Sequence, residues 1–331
     1  MCNENLRRLL GGEGFLVPNS YCIRLLTPHI LELRTQFPTR IVHSYLRGRS
    51  ILRNRIVEIA ESPARLRVER QQLVVELPEG QVHSVPLEDL AVIIVAHPQV
   101  SYTQAVLSEL VSRGGTFVTC DRSRMPIGIL LPLDAHTTQT QKFREQIEFP
   151  VPRAKRIWQQ IVREKIRMQG RLLERVHGSD SGLFSLIPQV RSGDPENVEA
   201  RAARKYWTAL FGSDFRRDRD AADHNRMLNY GYAVLRAATA RAICAAGLHP
   251  SLGVHHHNKY NSWCLADDVM EPYRPVVDRA VTQLVSGCDD IPEFDQQTRA
   301  ALLASLTTFV RIDGQNRTLF DALALTAQSL A

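Results

Sequence analysis

The 331-residue chain is 44% hydrophobic and 23% charged, enough apolar material for one large core or two ordinary ones and the charge content of a globular protein. No apolar run reaches the ~18 residues that span a bilayer, and Asn3, Glu4, Arg7 and Arg8 leave no apolar stretch before Gly11 for a secretion signal. The net charge of +6 allows an anionic partner, and six scattered cysteines without a C-x-x-C pair argue against a zinc ribbon or a disulfide framework and fit a reducing cytoplasm.

Residues 1–50 carry Gly11-Gly12, Pro18, Pro28 and Pro38, with seven arginines against three glutamates. The segment reads either as a basic arm that touches a polyanion or as a poorly ordered extension. From Ile51 the pattern becomes strand-like. Arg55 to Ala60 is one candidate, Leu66 and Val68 alternate with charge, and so do Leu73, Val75 and Leu77. Pro78-Glu79-Gly80 supplies a turn before Val82 and Val85. Leu90 to Val95 is a continuous β-branched run, expected to be buried on both faces. A helix follows with Ala105, Val106, Leu110 and Val111 on one side, ending at Gly114-Gly115, and Thr116 to Cys120 is a further strand. Pro126 to Pro132 leads out of this region. Short strands at close spacing predict a small β domain over 51–136.

Beyond residue 137 the periodicity turns helical, predicting an all-α domain over 137–331 and an α+β fold overall. Val151 to Val176 has apolar residues at 158, 161, 162, 166, 173 and 176. Between them stand Arg163, Lys165, Arg167 and Arg171 among other cations, opposed only by Glu164 and Glu174. That imbalance suits a phosphate backbone, although a solvated helix face is the plainer alternative. Asp194 and Pro195 mark the start of a helix over 197–211. Its apolar stripe of Ala202, Ala203, Tyr206, Trp207 and Leu210 reaches back to Glu199, and an inward carboxylate needs a cation or a metal. A long helix from about 225 to 246 stops at Gly247. Val276 to Leu284 continues helically, as does the tail through Leu302, Leu303, Leu306 and Phe309 before a turn at 313–314.

The densest chemistry lies in Leu252 to Pro275. His255, His256 and His257 are followed by Asp267, Asp268 and Glu271, whose spacing places the three acids on one face if the segment is helical. Imidazole with carboxylate suits Mg²⁺, Mn²⁺ or Zn²⁺. Packed carboxylates repel, and a shared cation relieves that; a solvated acidic face after a histidine-rich loop is the alternative. No G-x-x-x-x-G-K-[ST] loop is present to suggest nucleotide hydrolysis.

Three segments together carry a resemblance: V-E-A-R-A-A-R-K-Y-W at 198–207, L-G-V-H-H-H-N at 252–258 and L-A-D-D-V-M-E-P-Y-R-P at 265–275. In order and spacing they resemble the CRISPR-associated endonuclease and integrase of spacer acquisition, closest to the branch of type II (II-C-like) systems. The helix at 225–235 and Leu87 to Val95 are similar too. The similarity covers Ile51 to the C-terminus and is silent on residues 1–50.

The resemblance implies a β domain, sandwich-like, joined to a helical catalytic domain. It implies a divalent Mg²⁺ or Mn²⁺ held by Glu199, a histidine of the 255–257 run and Glu271; the family's Leu-Gly-x-x-His pattern selects His256, with His255 and His257 as the alternatives one residue away and Asp267 and Asp268 as accessory groups. Arg163, Lys165, Arg167, Arg171, Arg204, Lys205 and Arg274 are the expected DNA contacts, Arg274 pairing either with a DNA phosphate or with an acidic side chain. The implied reaction is attack by the 3′-hydroxyl of a short duplex on a phosphodiester of the CRISPR repeat. Homodimerisation, a small adaptation subunit, the type II effector nuclease and a bacterial cytoplasmic location are implied likewise. A general metal-dependent nuclease and a non-catalytic DNA-binding scaffold are the competing readings.

Overall fold

The computed structural model describes residues 54–218, 221, 223–288, 290–312 and 314–331, with the backbone of 24–26. Most of the expected N-terminal extension lies outside these residues; Arg24–Leu26 forms strand β1, antiparallel to β2 (Arg55–Ile59).

The architecture is mixed α+β, with strands first and helices after. One sheet has the order β1-β2-β6-β8-β9, with β6 at Leu90–Val95, β8 at Thr116–Cys120 and β9 at Pro126–Leu130. Parallel pairing of β6 with both β2 and β8 puts Val57 and Phe117 on either side of Ile93. Parallel neighbours need crossovers. The second sheet, ordered β5-β4-β3-β7, supplies the first through β3 (Ala64–Glu69), β4 (Gln72–Glu76) and β5 (Val82–Pro86), its remaining strand β7 (Val100–Tyr102) following β6. Helix α1 (Gln104–Ser112) supplies the second.

All six residues of β6 are buried, as its unbroken apolar run requires. Val57, Ile93 and Phe117 face Leu66, Leu73 and Val85 of the second sheet. Ile56, Val92, Ile94 and Val118 face the helices. Pro126 to Leu130, expected only to lead out, instead pairs with β8. An edge position tolerates both its proline and Gly128.

The helical part runs α2 (Gln139–Ile147), α3 (Val151–His177), α4 (Val198–Phe211), α5 (His224–Ala245), α6 (Cys264–Met270), α7 (Arg274–Val285), α8 (Gln296–Ser305) and α9 (Leu319–Leu330). Fifteen of the 22 residues of α5 are buried, so it is enclosed by its neighbours and forms the axis of the region. Its Gly231 lets α7 come close: a Cβ there would meet Val277 Cγ1 at 2.4 Å. Helix α3 packs Trp158, Val162, Ile166 and Leu173 against Val198, Ala202, Tyr206 and Leu210 of α4. Between α8 and α9 lies a hairpin, β10 (Phe309–Ile312) with β11 (Gln315–Thr318), so Phe309 sits on a strand and not on the expected helix. Cys120, Cys244 and Cys264 are free thiols.

Candidate metal and phosphate site

Four segments build the candidate site, and two of them place carboxylates on one ammonium. The first is the start of α4. Gly193, Asp194 and Asn197 all take positive φ, folding the chain into a tight turn ahead of the helix. The Asp194 carboxylate then accepts hydrogen bonds from the backbone N–H of Val198 (3.0 Å) and Glu199 (2.9 Å). Two donors that a helix start leaves unpaired are thereby satisfied, and Glu199 is held in the first turn. Pro195 stands in the turn before the helix, not in its first turn as expected.

The second segment is α3, which contributes Lys165. Its Nζ lies 2.5 Å from Glu199 Oε1 and 2.6 Å from Glu271 Oε2. Lys165 was expected on the DNA-facing side; it points inward instead, between two carboxylates. Burial disfavours its charge, but Glu271 and Glu199 outweigh that and hold its pKa above the usual lysine value.

The third segment is the break between α6 and α7. Helix α6 ends at Met270, and Pro272 converts Glu271–Tyr273 into a single 3₁₀ turn. This turn aims Glu271 at α3. Arg274 Nε pairs with Glu271 Oε1 at 3.0 Å, and its guanidinium lies 4.7 Å from the centre of the Tyr232 ring. Burial pushes the Glu271 carboxyl up, but Arg274 and Lys165 together hold it down to about 2. Although Lys165 is within ion-pair distance of Glu271 Oε2, that oxygen has no aligned hydrogen bond among the described residues.

The fourth segment is the histidine loop. Asp268, wholly buried, accepts from the backbone N–H groups of Val254 (2.8 Å), His255 (2.9 Å) and His256 (3.4 Å). It also bonds His256 Nδ1 at 2.5 Å. A hydrogen at Nδ1 leaves Nε2 as the lone-pair nitrogen, the arrangement that prepares an imidazole to bind a metal. The Asp268 bond also raises the His256 pKa against the effect of burial. Gly253 is required at the loop's start, since a Cβ would meet His256 O at 2.4 Å and Asp268 Oδ2 at 3.0 Å. His255 stacks flat on Trp158, ring centres 3.9 Å apart, and His257 is exposed.

The three acids of the 265–275 segment therefore do not share one cation. Asp267 pairs with Arg236 at 2.7 Å and accepts from Asn261 at 2.8 Å, Asp268 secures the histidine loop, and Glu271 alone reaches the pocket. Of Glu199, His256 and Glu271, the two glutamates share a contact, and among the described residues no three His, Cys, Asp or Glu side chains stand ready to hold a metal. Lys165 stands between two of them. The donor set still fits a divalent ion. Two carboxylates already share one cation, Glu271 Oε2 lacks an aligned partner, and His256 is oriented through Nδ1.

Sequence reasoning named Lys165 as a DNA contact and missed its place between the two glutamates, because it is one cation among many on α3. It also missed Asp278, whose carboxylate accepts from the hydroxyls of Tyr206 (2.6 Å) and Tyr232. Burial raises the Asp278 carboxyl to about 6 against those two hydrogen bonds. A lone acid between Val277 and Val281 on an apolar helix face was the available signal.

The remaining expected DNA contacts divide. Arg163 donates to the Val190 carbonyl at 2.8 Å, Arg167 pairs with Glu164, and Arg274 is committed to Glu271. Arg171, Arg204 and Lys205 are exposed. Arg171 opens onto a groove shared with Arg175, Arg279, Arg311 and Phe309, and among the described residues no acid lines it. Burial and the neighbouring Arg175 both lower the Arg279 pKa.

A family model described as CRISPR associated protein Cas1 matches residues 57–307. The CRISPR-associated endonuclease Cas1 of Neisseria meningitidis serogroup C (strain 8013) is 40% identical over 229 residues, 68% of this chain and 74% of that protein. Among solved structures, a casposase bound to integration product is similar with a TM-score of 0.67 at 20% identity, over 83% of this chain and 89% of that one. A Cas6-RT-Cas1–Cas2 complex gives a TM-score of 0.65 at 20% identity, over 86% of this chain and 35% of that one. These last two are likenesses of fold. A mixed α+β protein with a paired-carboxylate pocket near a basic groove falls in the class of nucleic-acid-processing enzymes. Within that class, the chain belongs to the Cas1 family of CRISPR-associated proteins.

Proposed function

We propose that this chain is the DNA endonuclease and integrase of CRISPR adaptation, acting through Glu199, His256 and Glu271. The observation that carries this reading is the pair Glu199 and Glu271, brought from distant segments to a single cation. A divalent ion, Mg²⁺ or Mn²⁺, would be held by these two carboxylates with His256 Nε2 and would supply Lewis-acid polarisation of the scissile phosphate. Asp268 orients the imidazole, Asp194 fixes the start of the helix that bears Glu199, and Arg274 keeps Glu271 ionised. Asp267 has a supporting role, bracing α6 against Arg236 of α5.

The reaction joins the 3′-hydroxyl of a short duplex to a phosphodiester at the repeat. One P–O bond forms as another breaks, and the displaced strand leaves with a 3′-hydroxyl. The number of phosphodiesters is unchanged, so no nucleoside triphosphate is needed. Catalysis is then chiefly in-line positioning and charge neutralisation. Water in place of the 3′-hydroxyl gives endonuclease activity from the same groups. The groove of Arg171, Arg175, Arg279 and Arg311 supplies backbone contacts, and exposed Arg204 and Lys205 extend them.

In this reading residues 51–136 are a sandwich-like β module and 137–331 the catalytic module. The partners are double-stranded DNA, a second copy of the chain, the small adaptation subunit and the type II effector nuclease. Likeness to the chain of a Cas1–Cas2 complex supports the small subunit. No described helix is long and apolar enough to cross a membrane, and the proposed location is the bacterial cytoplasm.

Strand joining in Mn²⁺ tests the assignment. Glu199→Ala abolishes joining while duplex binding in chelator stays at the wild-type level. Joining at the wild-type rate in this variant removes Glu199 from the site.

A further inference from the structure

We infer that Lys165 is a resident counter-cation: its ammonium occupies the place between Glu199 and Glu271 that a divalent ion takes, and it must swing aside before the ion binds. The inference rests on the metal-dependent reading above and adds to it a residue with a defined positioning role.

Charge makes the case first. Glu199 and Glu271 bring two negative charges; Lys165 and Arg274 bring two positive ones, all within ion-pair distance. The pocket is neutral as it stands. A dication entering beside both cations would leave a net charge of two in a place largely removed from water, at high desolvation cost. One of the resident cations has to leave.

Geometry selects which. Arg274 is braced from two sides, by Glu271 Oε1 and by the face of the Tyr232 ring. Among the described residues, Lys165 pairs only with the two carboxylates that would be ligands. Its charge sits at the end of a flexible four-carbon stem that can change rotamer without moving α3. Glu199 is about one-quarter exposed, against 7% for Glu271, so the pocket opens on the Glu199 side and an ion has a way in. Loss of the ammonium from the pocket leaves one surplus positive charge once a dication is bound, and one phosphodiester anion cancels it. Displacement of Lys165 therefore couples ion binding to the arrival of a phosphate.

This arrangement imposes a cost on metal binding in the resting protein. The apparent affinity is reduced by the fraction of molecules in which the ammonium has moved away. Removing the ammonium abolishes that reduction.

The test uses MnCl₂ as the probe on the full chain, with calorimetric titration and thermal melting. Lys165→Met melts at lower temperature than wild type in chelator, because Glu199 loses its cation and faces Glu271 with Arg274 as the one counter-charge left to the pair. It binds Mn²⁺ more tightly by about tenfold or more, and Mn²⁺ raises its melting temperature by more than it raises that of wild type. Lys165→Arg keeps the wild-type melting temperature in chelator and gains no affinity for Mn²⁺. A residue that only braced the packing of the pocket would give no gain in affinity on replacement. Lys165→Met affinity equal to or weaker than wild type, with Mn²⁺ binding to both, overturns the inference and leaves the metal-dependent reading in place. Failure of both proteins to bind Mn²⁺ overturns the metal-dependent reading and the inference with it.

Discussion

Asp268→Asn isolates the role of the carboxylate under the histidine loop with almost no change of shape. In the native protein Oδ2 accepts from the N–H groups of Val254 and His255, and Oδ1 bonds Nδ1 of His256. The asparagine carbonyl oxygen can keep the first pair, but as a neutral acceptor. Hydrogen bonds to a charged group are worth about 1.5–3 kcal/mol against about 1 for neutral ones, and the NH₂ group turns a donor toward the His256 N–H, so the loss is roughly 2–4 kcal/mol. With each kcal/mol worth about 1.4 °C in a protein of this size, melting falls by roughly 3–6 °C. The same NH₂ group donates to Nδ1 and moves the ring proton to Nε2, where it blocks coordination. Mn²⁺ affinity falls by about 10–100-fold. Thermal melting in chelator and calorimetric titration with Mn²⁺ read the two effects separately. A variant that melts within about 1 °C of wild type and binds Mn²⁺ unchanged refutes the assignment of Asp268 as the loop's anchor.

Two further predictions concern charge. Asp278, raised to about 6, contributes stability that is fully present below its unfolded pKa near 4 and is lost as pH rises through about 6. Asp278→Asn flattens the stability profile between about pH 4 and 6, whereas the loss below about pH 4.5 persists, because Glu271, held to about 2, gives up its ion pairs as the pH falls toward that value. Chemical denaturation across that range checks both limbs, and an unchanged slope between about pH 4 and 6 rejects the buried-acid account. The arginine groove predicts a salt effect: Arg175→Gln with Arg311→Gln reduces the slope of log affinity for duplex DNA against log salt by about 1 for each phosphate no longer neutralised. Fluorescence anisotropy at several salt concentrations measures it; parallel lines for variant and wild type assign DNA to another face.

The strand region was readable because its chemistry is local. Alternation marks β3 and β4, and the six-residue apolar run of β6 announces a strand covered on both sides. Strand β9 was not readable, because Pro126 and Gly128 weaken any strand signal and only pairing with β8 overrides them. Phe309 continued an apolar helical period from Leu302 and Leu306, but the chain leaves the helix at Ser305 to make a hairpin. At the site, the spacing of Asp267, Asp268 and Glu271 suggests one helical face. Pro272 interrupts the helix, and each acid finds its own partner in a different segment. Glu199 was legible from its place on the inward stripe of α4. Its partner Lys165 was not, since nothing local distinguishes it from Arg163 or Arg167; only the packing of α3 against α4 and the 271–273 turn selects it.

The pocket draws one group each from α3, from α4, from the loop after α5 and from the turn after α6. No shorter stretch of the polypeptide contains the machinery. During synthesis the ribosome must release everything through Arg274 before the carboxylates can find their cation. A fragment that ends before Arg274 therefore lacks the paired-carboxylate pocket and, on the proposed reading, any means of cutting DNA.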